Sequence, residues 1–64
     1  MDWVTERISE SEDVAFLSDL LSGRLRRNGR PDLADRAARA ASEMRRVSNE
    51  LRAQRRDAQG RRVL

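Results

Sequence analysis

One interruption divides this chain. Asn28-Gly29-Arg30-Pro31 is its one dense run of turn-forming residues, and Pro31 is its only proline. Asn and Gly accept the left-handed backbone that ends a helix, and proline fits the first turn of the next one. The stretches on either side are long enough to be helices, with no further proline and one glycine each, Gly23 and Gly60. A chain of 64 residues cut once in this way forms one small domain at most. The expected fold class is all-α: an antiparallel helical hairpin over residues 11–59, with helices at 11–28 and 31–58.

The second half carries the clearer pattern. Leu33, Ala37, Ala40, Met44, Val47, Leu51, Gln54 and Ala58 recur four and three residues apart in alternation. That is an a/d heptad, the spacing of a helix with a packing seam. Asp32 suits the positive end of the helix dipole, and Arg55 and Arg56 suit the negative end. Gly60 is the expected stop, leaving residues 60–64 as a flexible basic tail.

In the first half, Val14, Leu17, Leu21 and Leu25 fall on one helical face, with Phe16 and Leu20 on a shoulder beside it. Ser11 is the expected N-cap, with Glu12 and Asp13 in the first turn; Ser9 and Glu12 could instead form a capping box. Gly23 lies inside this helix and weakens it by ~1 kcal/mol relative to alanine. Val4 and Ile8 share a face that does not line up with Leu17 and Leu21. Residues 1–10 are therefore expected to form a separate arm or short helix, kinked at Ser9–Ser11.

Folding the chain back at Gly29 sets a register. Leu21 comes opposite Ala37 to Ala40, Leu17 opposite Met44 and Val14 opposite Val47, so bulky residues meet small ones. Phe16 and Leu20 would stay exposed on a single hairpin. Two hairpins paired as a homodimeric four-helix bundle would cover them; the alternative is a monomer in which Trp3, Val4 and Ile8 fold back over them. In the dimer reading, Phe16, Leu17, Leu20, Leu21, Met44 and Leu51 carry the core and the oligomer interface. Gln54, at a seam position, would fix register or mark where the core ends.

Charge separates the two halves. Asp2, Glu6, Glu10, Glu12, Asp13 and Asp19 face only Arg7 before Ser22, whereas every other basic residue follows it. All 14 basic residues are Arg. Guanidinium suits phosphate, but the same bias follows from a GC-rich genome, which fits a regulator of a bacterium or its phage. The register brings Glu10, Glu12 and Asp13 alongside Arg45, Arg46 and Arg52, so the halves can neutralise each other.

Chemistry is thinly represented. With no His, Cys, Tyr or Lys, the usual nucleophile–base pairs are absent, and neither an enzyme nor a cofactor site is expected. Glu43 and Glu50 have Arg39 and Arg46 a turn away, which makes ordinary helix ion pairs. The absence of any long apolar run points away from the membrane, and a cytoplasmic setting is expected. The leading functional expectation is a small interaction module that binds a partner protein, with Trp3 and Ile8 as partner surface. The alternative is nucleic-acid binding along a stripe of Arg45, Arg52 and Arg56. The stretch from Leu33 to Met44 has Ala38-Arg39-Ala40 where a helix-turn-helix needs a turn, and reads as unbroken helix.

Overall fold

Asp2 starts the first helix. Its side chain accepts a hydrogen bond from the Val4 N–H at 3.1 Å, which satisfies one of the free donors of the first turn. From there α1 runs without interruption over Trp3–Arg27, and α2 spans Pro31–Val63. The computed structural model describes residues 2–63, with side chains described for residues 2–57. The two helices pack against each other as a hairpin 55 Å long, 18 Å wide and 10 Å thick.

The turn is a Schellman cap. Gly29 has φ +80°, the left-handed conformation that carries little penalty only for glycine. The Gly29 N–H donates to the Arg26 carbonyl at 3.2 Å and the Arg30 N–H donates to the Leu25 carbonyl at 2.8 Å, closing the end of α1. Pro31 opens α2 immediately afterwards. Beside it, the Arg30 guanidinium and the Leu33 backbone N–H hold the Asp32 carboxyl below its ordinary pKa.

Three expectations are corrected. First, the separate arm expected over residues 1–10 is not seen among the described residues: α1 runs from Trp3 with no kink at Ser9–Ser11. Second, Ser11 is not a cap: it lies buried inside α1 and its hydroxyl donates to the Ile8 carbonyl at 2.8 Å. Third, α2 passes through Gly60 instead of stopping there; whether residues 60–64 form a loose tail lies outside what the described side chains cover.

The reason for the continuous α1 is a seam of small residues. Val4, Ile8, Ser11, Ala15, Ser18, Ser22 and Leu25 alternate four and three apart, and all are buried or half-buried. The face of Val4 and Ile8 that fails to match Leu17 and Leu21 matches this seam. On α2 the corresponding stripe is Ala34, Ala37, Ala41, Met44, Ser48, Leu51 and Arg55. Ala34 and Ala41 are 0 % exposed. Seams built of Ser and Ala let two helix backbones approach closely, so shape rather than side-chain bulk holds the pair. The Ser22 hydroxyl adds one cross-helix bond, donating to the Ala34 carbonyl at 2.8 Å.

Candidate interaction face

The inner seam uses only part of what each helix offers. On α1, a second heptad runs one residue behind the first: Trp3, Arg7, Glu10, Val14, Leu17, Leu21 and Arg24. On α2 the stripe expected from sequence, Leu33, Ala37, Ala40, Met44, Val47 and Leu51, shares Ala37, Met44 and Leu51 with the inner seam, while Leu33, Ala40 and Val47 stand one residue behind Ala34, Ala41 and Ser48. Moving back one residue turns a stripe by about 100° around the helix. Because the two helices face each other antiparallel, that turn brings both stripes to the same side of the hairpin.

This side is apolar and open. Val14, Leu17 and Leu21 are exposed, Leu17 by 61 %, and Leu33, Met44, Val47 and Leu51 are only half-buried. The expectation that Val14, Leu17 and Leu21 pack directly onto α2 is therefore corrected. Their heights along the hairpin are as expected, but their helix is rotated so that Ala15, Ser18 and Ser22 fill the contact instead. Close packing of small residues excludes the leucines from the space between the backbones.

The opposite side is charged. Glu12 pairs with Arg52 at 2.6 Å, Asp19 with Arg45, and Arg26 with Asp35 at 2.9 Å, while Arg55 donates to the Thr5 hydroxyl at 3.3 Å. These rungs record the register, each step along α1 being answered by a step backward along α2. They also tie up two members of the expected nucleic-acid stripe. Of Arg45, Arg52 and Arg56, only Arg56 makes no ion pair among the described residues.

The remaining candidate residues scatter. Phe16, 63 % exposed, does not join Leu17 and Leu21; it borders a shallow groove of about 320 Å³ with Glu12, Asp19, Arg45, Asn49 and Arg52. Leu20 lies on the outer edge of α1, between the apolar side and that groove. Trp3 is exposed at the far end of the outer stripe of α1. Ile8 is 5 % exposed and belongs to the inner seam, which corrects its expected role as partner surface. Ser48 was not singled out from sequence; it is 2 % exposed, and its hydroxyl has no hydrogen-bond partner. The inner seam as a whole had a signal in the sequence, the unbroken four-three spacing from Val4 to Leu25, but serine and alanine do not register as core on a hydropathy reading.

Among the described residues no cluster of His, Cys, Asp or Glu is arranged to hold a metal ion, and no helix is long and apolar enough to cross a membrane. Comparison with known protein families, curated proteins and solved structures gave no match to the chain.

Proposed function

We propose that the protein is a helical interaction module that works as a homodimer, two hairpins closing on each other through their apolar faces into a four-helix bundle. One observation carries this reading: beside the seam that the hairpin occupies, α1 bears a complete second heptad stripe, and α2 adds Leu33, Ala40 and Val47 next to the half-buried Ala37, Met44 and Leu51 that it shares with the seam. A helix in a four-helix bundle touches two neighbours and needs two such stripes; a helix in an isolated pair needs one. The residues assigned to the interface are Val14, Leu17 and Leu21 from α1 and Leu33, Met44, Val47 and Leu51 from α2.

Size and energy support the same reading. Stable interfaces bury about 800 Å² per partner, and a face 55 by 18 Å can supply that. The inner seam is thin: of its fully buried apolar residues Ile8, Ala15, Ala34 and Ala41, only Ile8 is large. Burying a large aliphatic side chain contributes roughly 1.5–3 kcal/mol and an alanine much less, so a hairpin alone falls short of ordinary domain stability. The second layer provides what the first lacks.

In this dimer Phe16 and Leu20 remain outside, unlike in the one expected from sequence, and with the charged groove they form the surface left for a protein partner. A nucleic-acid role ranks lower, because Arg45 and Arg52 already have carboxylate partners on α1. Leu17→Asp tests the central reading. Sedimentation equilibrium should give twice the 7.4 kDa chain mass for the wild type and the chain mass for the variant. An unchanged mass in a variant that keeps its helicity would remove Leu17 from the interface and the reading with it.

A further inference from the structure

A second copy can close on the apolar face in two symmetric ways. If the two-fold axis runs along the helices, α1 of one copy lies against α2 of the other and both turns sit at the same end. If it runs across the helices, α1 lies against α1, α2 against α2, and the turns sit at opposite ends. Either way the neighbouring helices are antiparallel, and either way the same apolar residues are covered. Apolar burial therefore does not choose between them, and the charges at the margins of the face must.

Four of those charges are placed symmetrically, and Arg7 on the outer stripe of α1 is paired with Glu10. On the outer stripe of α1, Glu10 and Arg24 bracket the apolar run, each one heptad from Leu17. On the outer margin of α2, Arg36 and Glu50 stand one heptad either side of Glu43. The rungs Glu12–Arg52 and Arg26–Asp35 set the heights of the two helices. By that register Glu10 is level with Glu50, Arg24 with Arg36 and Leu17 with Glu43, each to within about one helical turn.

The consequences are opposite for the two axes. With the axis along the helices, residues at equal height meet: Glu10 faces the second copy's Glu50 and Arg24 faces its Arg36, each contact occurring twice. With the axis across the helices at Leu17, heights are inverted. Glu10 then faces Arg24 of the second copy and Arg36 faces its Glu50, again twice each. Arg24, Arg36 and Glu50 make no ion pair within the hairpin among the described residues, and Glu10 is held only by Arg7 on its own helix. One like-charge contact arises in the favoured arrangement, Glu43 with its own copy at the axis, and Arg46 at 3.5 Å offsets it.

We infer that the second copy docks across a two-fold axis perpendicular to the helices, passing Leu17 of α1 and Glu43 of α2, with the two Asn28–Arg30 turns at opposite ends of the bundle. This rests on the homodimer reading above. Individual surface pairs contribute little, but the contacts of Glu10, Arg24, Arg36 and Glu50 all change sign between the two arrangements, against the single Glu43 contact, and like-charge contacts penalise the wrong one.

The chain has no cysteine, so a single label can be placed at will. Asn28→Cys, at the exposed end of α1, carries a spin label for pulsed dipolar distance measurement. Asn28 stands eleven residues from the axis, so the two labels should be about 33 Å apart along the bundle at 1.5 Å per residue. With the axis along the helices they would lie less than about 20 Å apart, across a bundle with helix spacing of about 10 Å. A long distance is expected; a short one overturns the perpendicular axis while leaving the homodimer standing. The absence of any dipolar coupling in a helical, monomeric sample overturns both. Arg24→Glu gives an independent reading of sign. It should weaken dimerisation about tenfold, since the introduced carboxylate would then oppose Glu10 of the second copy. Tightened or unaltered dimerisation, with helicity retained, contradicts the arrangement.

Discussion

Two residues in α2 show how little freedom the seam allows. Ser48 is buried with an unsatisfied hydroxyl, and a buried polar group without a partner costs about 1–3 kcal/mol. Ser48→Ala removes the hydroxyl, keeps the small volume and favours helix, so it should raise unfolding free energy by roughly 1–2 kcal/mol in a urea titration. Ala41, fully buried against α1, marks the opposite limit. Ala41→Leu must push the helices apart and should destabilise by about 1–3 kcal/mol or more in the same measurement. The glycines separate in the same way. Gly23 sits in regular helix with nothing within 4 Å of where a Cβ would stand, so Gly23→Ala should stabilise by about 1 kcal/mol. Gly29 has equal space but a φ of +80°, so Gly29→Ala should destabilise by roughly 1–2 kcal/mol. A pair of thermal melts compares the two directly, and equal signs would contradict the turn geometry.

At the scale of the helix, the organising fact is that α1 carries two seams one residue apart, and α2 two that share Ala37, Met44 and Leu51. The sequence makes the bulky seam visible and conceals the small one. Leu33, Met44, Val47 and Leu51 stand out by hydropathy, and their heptad correctly marks α2 as one long helix. Val14, Leu17 and Leu21 stand out equally, and for that reason read as the face toward α2. The contact is made instead by Ser11, Ala15, Ser18 and Ser22, whose value lies in smallness, which hydropathy does not weigh. The same blind spot explains the start of α1. Val4 and Ile8 look misaligned only when the leucines define the seam; measured against Ala15 and Ser22 they continue it without a break. The turn was legible because Gly29 and Pro31 act through backbone conformation, which is local. The rotation of α1 about its axis was not, because it depends on how closely two backbones approach. Electrostatics took an intermediate course. The acidic first half and the basic second half announce an internal match, yet which Arg meets which carboxylate follows from that rotation, and Arg45 and Arg52 are accordingly engaged by Asp19 and Glu12.

For the whole molecule, a hairpin 10 Å thick is a single layer of helices, whereas stable domains enclose a core between two. On the proposed homodimer reading, the apolar side with Leu17 and Val47 is the inner surface of a structure that one chain does not complete. That reading accounts for its dimensions, the second stripe and the sparse inner seam together, and assigns to the charges at its margins the choice of how the second copy is arranged. If folding and association are one process, stability must depend on protein concentration. The direct measurement is thermal unfolding followed by far-ultraviolet circular dichroism over a hundredfold range of concentration. The account predicts a midpoint that rises steadily with concentration. A midpoint independent of concentration across that range would show a hairpin stable by itself, and would contradict the claim that its open apolar face exists to be closed by a second copy.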